Sequence, residues 1–342
     1  MSARRNSAFA LFLWVTCGAG AVYAMEYAVT DLGTLGGPKS YAFCVNNSGQ
    51  IVGYSDTAGG AVHGFLYNGR RMTDLGTLGG KLSCATSINE NAVVVGYSDI
   101  GFGTQHAFLY SNGKLTDLGT LGGKASRANG INSNGEVVGV STSSDMLGRA
   151  FLFKDGRMTG LRTVGDNSAF GVARAINPAG QIVGWSPYRG KGDTHAYLYD
   201  NGVLTDLGTL GGKISEANAI NVSGQVVGES VTPGGKMHGF LYSKGVMTDL
   251  GTLAGPSHSS TAYGINVKGD VVGTSKATSH QDHAFLWSEG KMTDLNTLIA
   301  QNSGWILAVA HDVNDVGQIV GQGRAPSGRK HAFLLSPTVP SK

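Results

Sequence analysis

Seven copies of a segment close to Asp-Leu-Gly-Thr-Leu-Gly-Gly, four short β-like stretches in each repeat, and no helical periodicity beyond the first 24 residues predict an all-β chain folded as a seven-bladed β-propeller of four-stranded antiparallel blades. The copies begin at Asp31, Asp74, Asp117, Gly160, Asp206, Asp249 and Asp294, at intervals of 43, 43, 43, 46, 43 and 45 residues. A four-stranded unit of about 40 to 45 residues is the dimension of a propeller blade, whereas the coils of β-solenoids are shorter.

The second repeat shows why each element forms. Ala85 to Asn89, Ala92 to Ser98, His106 to Tyr110 and Lys114 to Leu121 are rich in β-branched or aromatic residues and alternate in polarity, as strands do. The first two strands of a unit are joined by Asn-x-x-Gly, as in Asn132 to Gly135, where the Asn side chain closes a turn and Gly accepts the left-handed backbone. The last two are joined by tight pairs such as Asn112–Gly113, Asp155–Gly156 and Asn201–Gly202, a strong hairpin signal.

The two ends of the chain complete each other. Six internal hairpins separate a His, or Arg149 in its place, from the following Asp or Gly by 11 residues. From His331 the same step reaches residue 342, with no strand pattern to receive it. Residues 26–35 supply an orphan Asp-Leu-Gly-Thr-Leu, so the expectation is that the N-terminal strand pairs in the last blade and closes the ring. Closure removes a free sheet edge.

Domain organisation follows from the repeat. Arg4 and Arg5, the apolar run from Ala8 to Val15 and the small residues before Ala24 have the three regions of a secretory signal peptide, assigned to residues 1–24; residues 25–336 form the propeller and 337–342 a short tail. The expected location is secreted or periplasmic, with no membrane anchor after cleavage. The formal charge of +3 falls to +1 without Arg4 and Arg5, which argues against nucleic acid as a partner. Cys44 and Cys84 remain beyond the signal; they sit at different register positions of successive inner strands, facing opposite ways, and whether they pair is left open.

The His-Ala-Phe and Asp-Leu-Gly-Thr-Leu-Gly-Gly segments, recurring together in register, resemble the HAF family of extracellular repeats of secreted bacterial proteins. That resemblance covers nearly all of the chain after the signal. It implies export and a repeat fold, and it transfers neither an activity nor catalytic residues.

Six hairpins hold both a His and an Asp: His63 with Asp74, His106 with Asp117, His195 with Asp206, His238 with Asp249, His283 with Asp294, and His331 with Asp31 across the closure. The remaining hairpin has Arg149 and Gly160 instead, so both members change together, as a direct contact requires. With Asn112 and Gly113 as the turn, Phe108 faces Asp117, and His106 lies on the same sheet face one diagonal away. Six such pairs on separate blades make a buried or half-buried structural clasp rather than a catalytic or metal centre. The seven Asn before the Gly turns and the Gly-Gly pairs read in the same way, as turn and crossing chemistry.

Function is expected where the repeats differ. The crossings between blades carry Lys39, Lys81, Lys124 and Lys213, and the loops between second and third strands carry Asp56, Asp99 and Asp145 early but Arg189, Lys191, Lys236, Lys276, Arg324, Arg329 and Lys330 late, predicting one acidic and one basic side. On the inner strands, Tyr41, Phe43, Arg127, Asn129, Arg174, Glu216, Asn218, Tyr263 and His311, with Trp305 just before the last, approach the channel. Arginines, a carboxylate and aromatics suit a sugar acid or an anionic peptide. The candidate ligand-binding set is therefore Arg127, Arg174, Glu216, Tyr263, His311, Trp305, Lys81, Lys124 and Lys213. No catalytic residue, metal ligand or cofactor is assigned. The chain reads as a monomeric, secreted, noncatalytic binding module for a glycan or protein; a propeller hydrolase or lyase acting on polysaccharide and a structural surface or matrix protein are the alternatives, although the sequence has no Gly-x-Ser-x-Gly or His-Glu-x-x-His motif.

Overall fold

The computed structural model describes residues 26–101, 103–162, 171–188, 192–278 and 281–338. They form seven four-stranded antiparallel sheets arranged as the blades of a propeller. Blades 1 to 6 run from inner to outer strand in chain order, spanning Gly36–Asp74, Ser83–Asp117, Gly122–Gly160, Val172–Gly208, Ser215–Asp249 and Ser260–Asp294. Blade 7 takes Ile306–Val313, Ile319–Arg324 and Lys330–Thr338 from the C-terminal end and Glu26–Asp31 from the N-terminal end. The closing strand runs in register from Glu26 opposite Thr338 to Asp31 opposite Phe333. The last strand thus reaches Thr338, beyond the expected boundary at 336, and the segment 1–24 lies outside the described residues.

The core lies between the blades. One layer joins Val95 and Ala107 of blade 2 to Ala128, Ile131, Val137 and Phe151 of blade 3, and similar layers recur around the ring. The aromatic residue of every His-Ala-Phe position, Phe65, Phe108, Phe151, Tyr197, Phe240, Phe285 and Phe333, is fully buried. Each large ring removes considerable apolar area from water, which makes this column the main apolar stabiliser of each interface. Each inner strand also carries a β-bulge, between Ala85 and Ser87 in blade 2 and at equivalent places elsewhere. The glycine opposite the bulge has no room for a side chain: a Cβ at Gly96 would stand 1.9 Å from the Cys84 carbonyl oxygen.

The hairpin turns have the backbone their residues predict. Asn112 and Gly113 both have positive φ, at 51° and 78°, and Ser111 pairs with Lys114, the geometry of a two-residue type I′ turn. The outer strand is shorter than expected, ending at Asp117 rather than Leu121. Asp117 ends it: its Oδ1 accepts a hydrogen bond from Gly119 N at 2.7 Å, and Gly119, at φ 71°, turns the chain toward the next blade. Cys44 and Cys84 are free thiols, not a disulfide. Burial pushes the Cys84 thiol up to about 12 and that of Cys44 well above its ordinary value.

Deleting Glu26–Asp31 removes the buried ring of Tyr27 and exposes the edge of the Lys330–Thr338 strand. The thermal midpoint, followed by circular dichroism, is expected to fall by more than about 10 °C; an unchanged midpoint would contradict closure by this strand.

Candidate functional site

The His and Asp residues meet in all six hairpins. The imidazole Nδ1 lies 2.6 to 3.0 Å from the carboxylate in His63–Asp74, His106–Asp117, His195–Asp206, His238–Asp249, His283–Asp294 and His331–Asp31. Each carboxylate also accepts a backbone N–H two residues on, so it caps the turn that ends the strand. The clasp is half-buried: the Asp117 side chain is 42 % exposed, that of His106 18 %. In blade 3, Arg149 turns the other way, with Nη2 on Asp145 Oδ2 at 2.5 Å and Nε on Ser143 Oγ at 2.8 Å. Hydrogen bonds from Ser143 and then Arg149 hold the Asp145 carboxyl down at about 2. Among the described residues no group of three or more His, Cys, Asp and Glu converges as metal ligands would.

Two rows of side chains that differ from blade to blade run along the inner and second strands. The first consists of cross-strand pairs, Tyr41 with Tyr54, Cys84 with Tyr97, Arg127 with Val140, Val172 with Trp185, Glu216 with Glu229, Thr261 with Thr274, and Val309 with Gln322. The second consists of the bulge residues Phe43, Thr86, Asn129, Arg174, Asn218, Tyr263 and His311. Three of these bridge blades: Thr86 Oγ1 donates to Ala128 O, Asn129 Nδ2 to Ala173 O and Asn218 Nδ2 to Ala262 O. Phe43, Arg174, Tyr263 and His311 have no such place in the framework.

An aromatic arc covers blades 6, 7, 1 and 2. Tyr263 lies 5.2 Å from His311, His311 is edge-on to Phe43 at 5.0 Å, Phe43 is 5.6 Å from Tyr54, and Tyr54 stacks on Tyr41 at 4.6 Å. Tyr54 and Tyr97 flank a groove of about 310 Å³ with Cys84 and Leu82 between them. Arg127 lies over the Tyr97 ring at 4.7 Å and donates from Nε to Gln105 Oε1 at 2.9 Å. Beyond it the mouth is polar. Arg174 stands 3.9 Å from Glu216, which directly faces Glu229, and Glu229 accepts a hydrogen bond from Thr261. Burial, and then the Glu229 charge, raise the Glu216 carboxyl above its ordinary value. Burial lowers His311 to about 4, so it is neutral at pH 7.

The remaining expected residues are placed differently. Trp305 packs edge-on to Phe333 at 6.2 Å against the core of blade 7 and so belongs to the packing. Lys39, Lys81, Lys124 and Lys213 are exposed on the crossings, and Lys213 reaches Asp193 at 4.0 Å. The division into acidic and basic sides is thinner than expected, because Asp145 is paired with Arg149 and Lys276 with Asp282 at 2.9 Å. Arg189 and Lys191 lie outside the described residues. Tyr54, Tyr97, Glu229 and Gln322 were not among the candidates; their signal was the variable position in Val-Val-Gly-x-Ser.

No protein-family model and no curated protein matches this chain. Among solved structures it is similar to a puromycin-hydrolysing peptidase of Mycobacterium tuberculosis, at 14 % identity and a TM-score of 0.58 over 88 % of this chain and 53 % of that one. It is also similar to a structure from a study of two prolyl endopeptidases, at 10 % identity and a TM-score of 0.53 over 93 % of this chain and 51 % of that one. The chain spans about half the length of each, and the likeness is one of fold. Among the described residues no helix is long and apolar enough to cross a membrane.

Two outcomes follow. Asp117→Asn keeps an acceptor for Gly119 N and loses only a half-exposed ionic contact, so urea denaturation should show a loss of no more than about 1 kcal/mol. Asp117→Ala leaves that N–H uncapped and should cost about 1 kcal/mol more. For His311 the folded state resists protonation, so as pH falls from 6.5 to 4 the unfolded chain takes up the proton first and stability drops; above 6.5 there is no such slope. His311→Phe should flatten that part of the curve, read as the difference in denaturation midpoint between the two proteins from pH 7 to 4.5.

Proposed function

We propose that this chain is an exported, noncatalytic binding module that takes a glycan or protein ligand at the mouth of the propeller channel. The observation that carries the reading is the division of labour among side chains. Positions that repeat in every blade are engaged in turns, clasps and core. The residues that break the pattern, from His311 and Phe43 through Tyr54 and Tyr97 to Arg127, Arg174 and Glu216, lie on the inner and second strands of blade 7 and blades 1 to 5. Aromatic faces beside guanidinium and carboxylate groups are what a polyhydroxylated or peptide ligand with ionic substituents requires. His311, held among rings and neutral, packs there rather than acting as an acid or base. Export is supported by the signal-like pattern of residues 1–24 and by the resemblance to the HAF repeats.

Glycan and peptide arrays probed with the native protein and with an Arg127→Ala/Arg174→Ala variant test this reading. The native protein should retain a defined ligand class, and the variant should bind it at least ten-fold more weakly. Equal binding by the variant would remove the site from the mouth, and turnover of a polysaccharide without retention would favour a hydrolase or lyase.

A further inference from the structure

Blade 7 departs from blades 1, 2, 3, 5 and 6 at the end of its sheet nearest the variable loops. In blades 1, 2, 3, 5 and 6 an inner-strand serine, such as Ser83 or Ser126, accepts a backbone N–H from the third strand of the preceding blade and donates to a glycine carbonyl there. A second serine, such as Ser98 or Ser141 on the neighbouring strand, accepts a backbone N–H from the crossing. Blade 7 has Leu307 and Gly323 at these two places, and Asn296 takes over the backbone contacts of Leu307, donating to its carbonyl at 3.0 Å and accepting its N–H at 2.8 Å. An additional bulge between Leu307 and Val309 inserts Ala308. The outcome is a cavity of about 180 Å³ lined by Ile306, Ala308, Gln322 and Gly323, with Arg324, Gly328 and Lys330 at its edge.

The charges at this cavity are unbalanced. Arg324 and Lys330 are directly opposed across the strand pair, an arrangement that costs stability when nothing neutralises it. The same register position in blade 6 holds Lys276 and Asp282, which form a 2.9 Å ion pair. In blades 1 to 5 the equivalent pairs, for example Asp56 with Val62 and Val231 with Met237, contain no second cation. Neither Arg324 nor Lys330 has an ion-pair partner among the described residues, and both are exposed. Gln322, in the cavity wall, has its Oε1 buried without a hydrogen-bond partner. A buried acceptor left unpaired is unfavourable, and its terminal torsion is soft enough to present it to a donor.

We propose that this cavity binds the carboxylated pyranose ring of a hexuronate, its carboxylate between Arg324 and Lys330, a ring hydroxyl donating to Gln322 Oε1 and its C–H face on Ile306 and Ala308. Two cations call for an anion, and the buried acceptor calls for a hydroxyl in the same ligand. A phosphate or sulfate alone would leave the apolar floor uncovered, and the volume suits a single sugar ring rather than an oligomer. The inference rests on the reading of the propeller as a binding module and names a ligand class for it, at a pocket separate from Arg127 and Arg174.

Isothermal titration calorimetry of the full chain with sodium D-galacturonate, D-galactose and sodium acetate tests it. Saturable binding is expected for galacturonate in the millimolar range or tighter, weakening as salt rises, with galactose and acetate at least ten-fold weaker. Arg324→Gln/Lys330→Gln and the single Lys330→Gln, both at exposed positions and checked for a thermal midpoint no lower than that of the native protein, should weaken galacturonate ten-fold or more. No galacturonate binding at millimolar concentration, equal binding of acetate or galactose, or unchanged affinity in the double variant would each overturn the proposal. Loss in Arg127→Ala/Arg174→Ala with retention in Arg324→Gln/Lys330→Gln would overturn this pocket while leaving the channel-mouth reading in place.

Discussion

A circle of seven buried asparagine amides ties the blades into one body. Asn46 Nδ2 donates to the backbone carbonyl of Asn89, Asn89 to Asn132, Asn132 to Asn177, Asn177 to Asn221, Asn221 to Asn266, Asn266 to Asn314 and Asn314 back to Asn46, at 3.0 to 3.3 Å. Each Oδ1 also accepts the N–H four residues on and so closes its own turn. In six blades the second N–H reaches a side chain at that same position, such as Gln50 or Glu136. These amides are 2 to 5 % exposed, and in six of the seven both donors and the acceptor are engaged, so burial carries little penalty. The chain of donors has no beginning, and it is complete only when the last blade meets the first.

The paired serines hold the opposite ends of the blades, and the apolar layers fill the space between. Where both ends of an interface are fixed by repeated residues, as at the inner strands of blades 1, 2, 3, 5 and 6, the fold requires little of the positions between them. Thr86, Asn129 and Asn218 donate from there to a backbone carbonyl of the next blade, whereas Phe43, Arg174, Tyr263 and His311 meet the neighbouring blade through ring or ionic contacts instead. The framework therefore tolerates an aromatic, a cation or an amide at one position because the Asn circle and the Ser clasps already set the spacing of the blades.

Much of the fold was legible because it is written seven times. The repeat length gave the blade, the unmatched hairpins at the two ends gave the closing strand, and the joint change at Arg149 and Gly160 marked the His–Asp contact. Features that depend on chain direction in space were not. The outer strand stops at Asp117 because its side chain recruits Gly119 N, which hydrophobic alternation does not report. The inner-strand bulge shifts the parity of Phe43 or His311 relative to its neighbours, so counting by twos misassigns which residues share a face. Tyr54, Tyr97 and Glu229 sit on the second strand, and only the register brings them opposite Tyr41, Cys84 and Glu216. Trp305 looked like a channel residue by position, but the added turn before Ile306 folds it against Phe333.

Two like-charge pairs stand on the mouth side of this ring, and they differ in how they are balanced. Glu216 and Glu229 face each other across blade 5, with Arg174 at 3.9 Å and a hydroxyl from Thr261 easing the repulsion, and burial holding the Glu216 proton more firmly. Arg324 and Lys330 face each other across blade 7 with no such relief. Directly opposed like charges work against a strand pair, whereas the repeated Asn, His–Asp and buried aromatic positions agree with the fold they serve. Local conflict of this kind, set among otherwise consistent blades, marks positions whose residues answer to something besides folding. The carboxylate pair of blade 5 thus has a cation and a hydroxyl beside it, whereas the cationic pair of blade 7 has no ion-pair partner among the described residues.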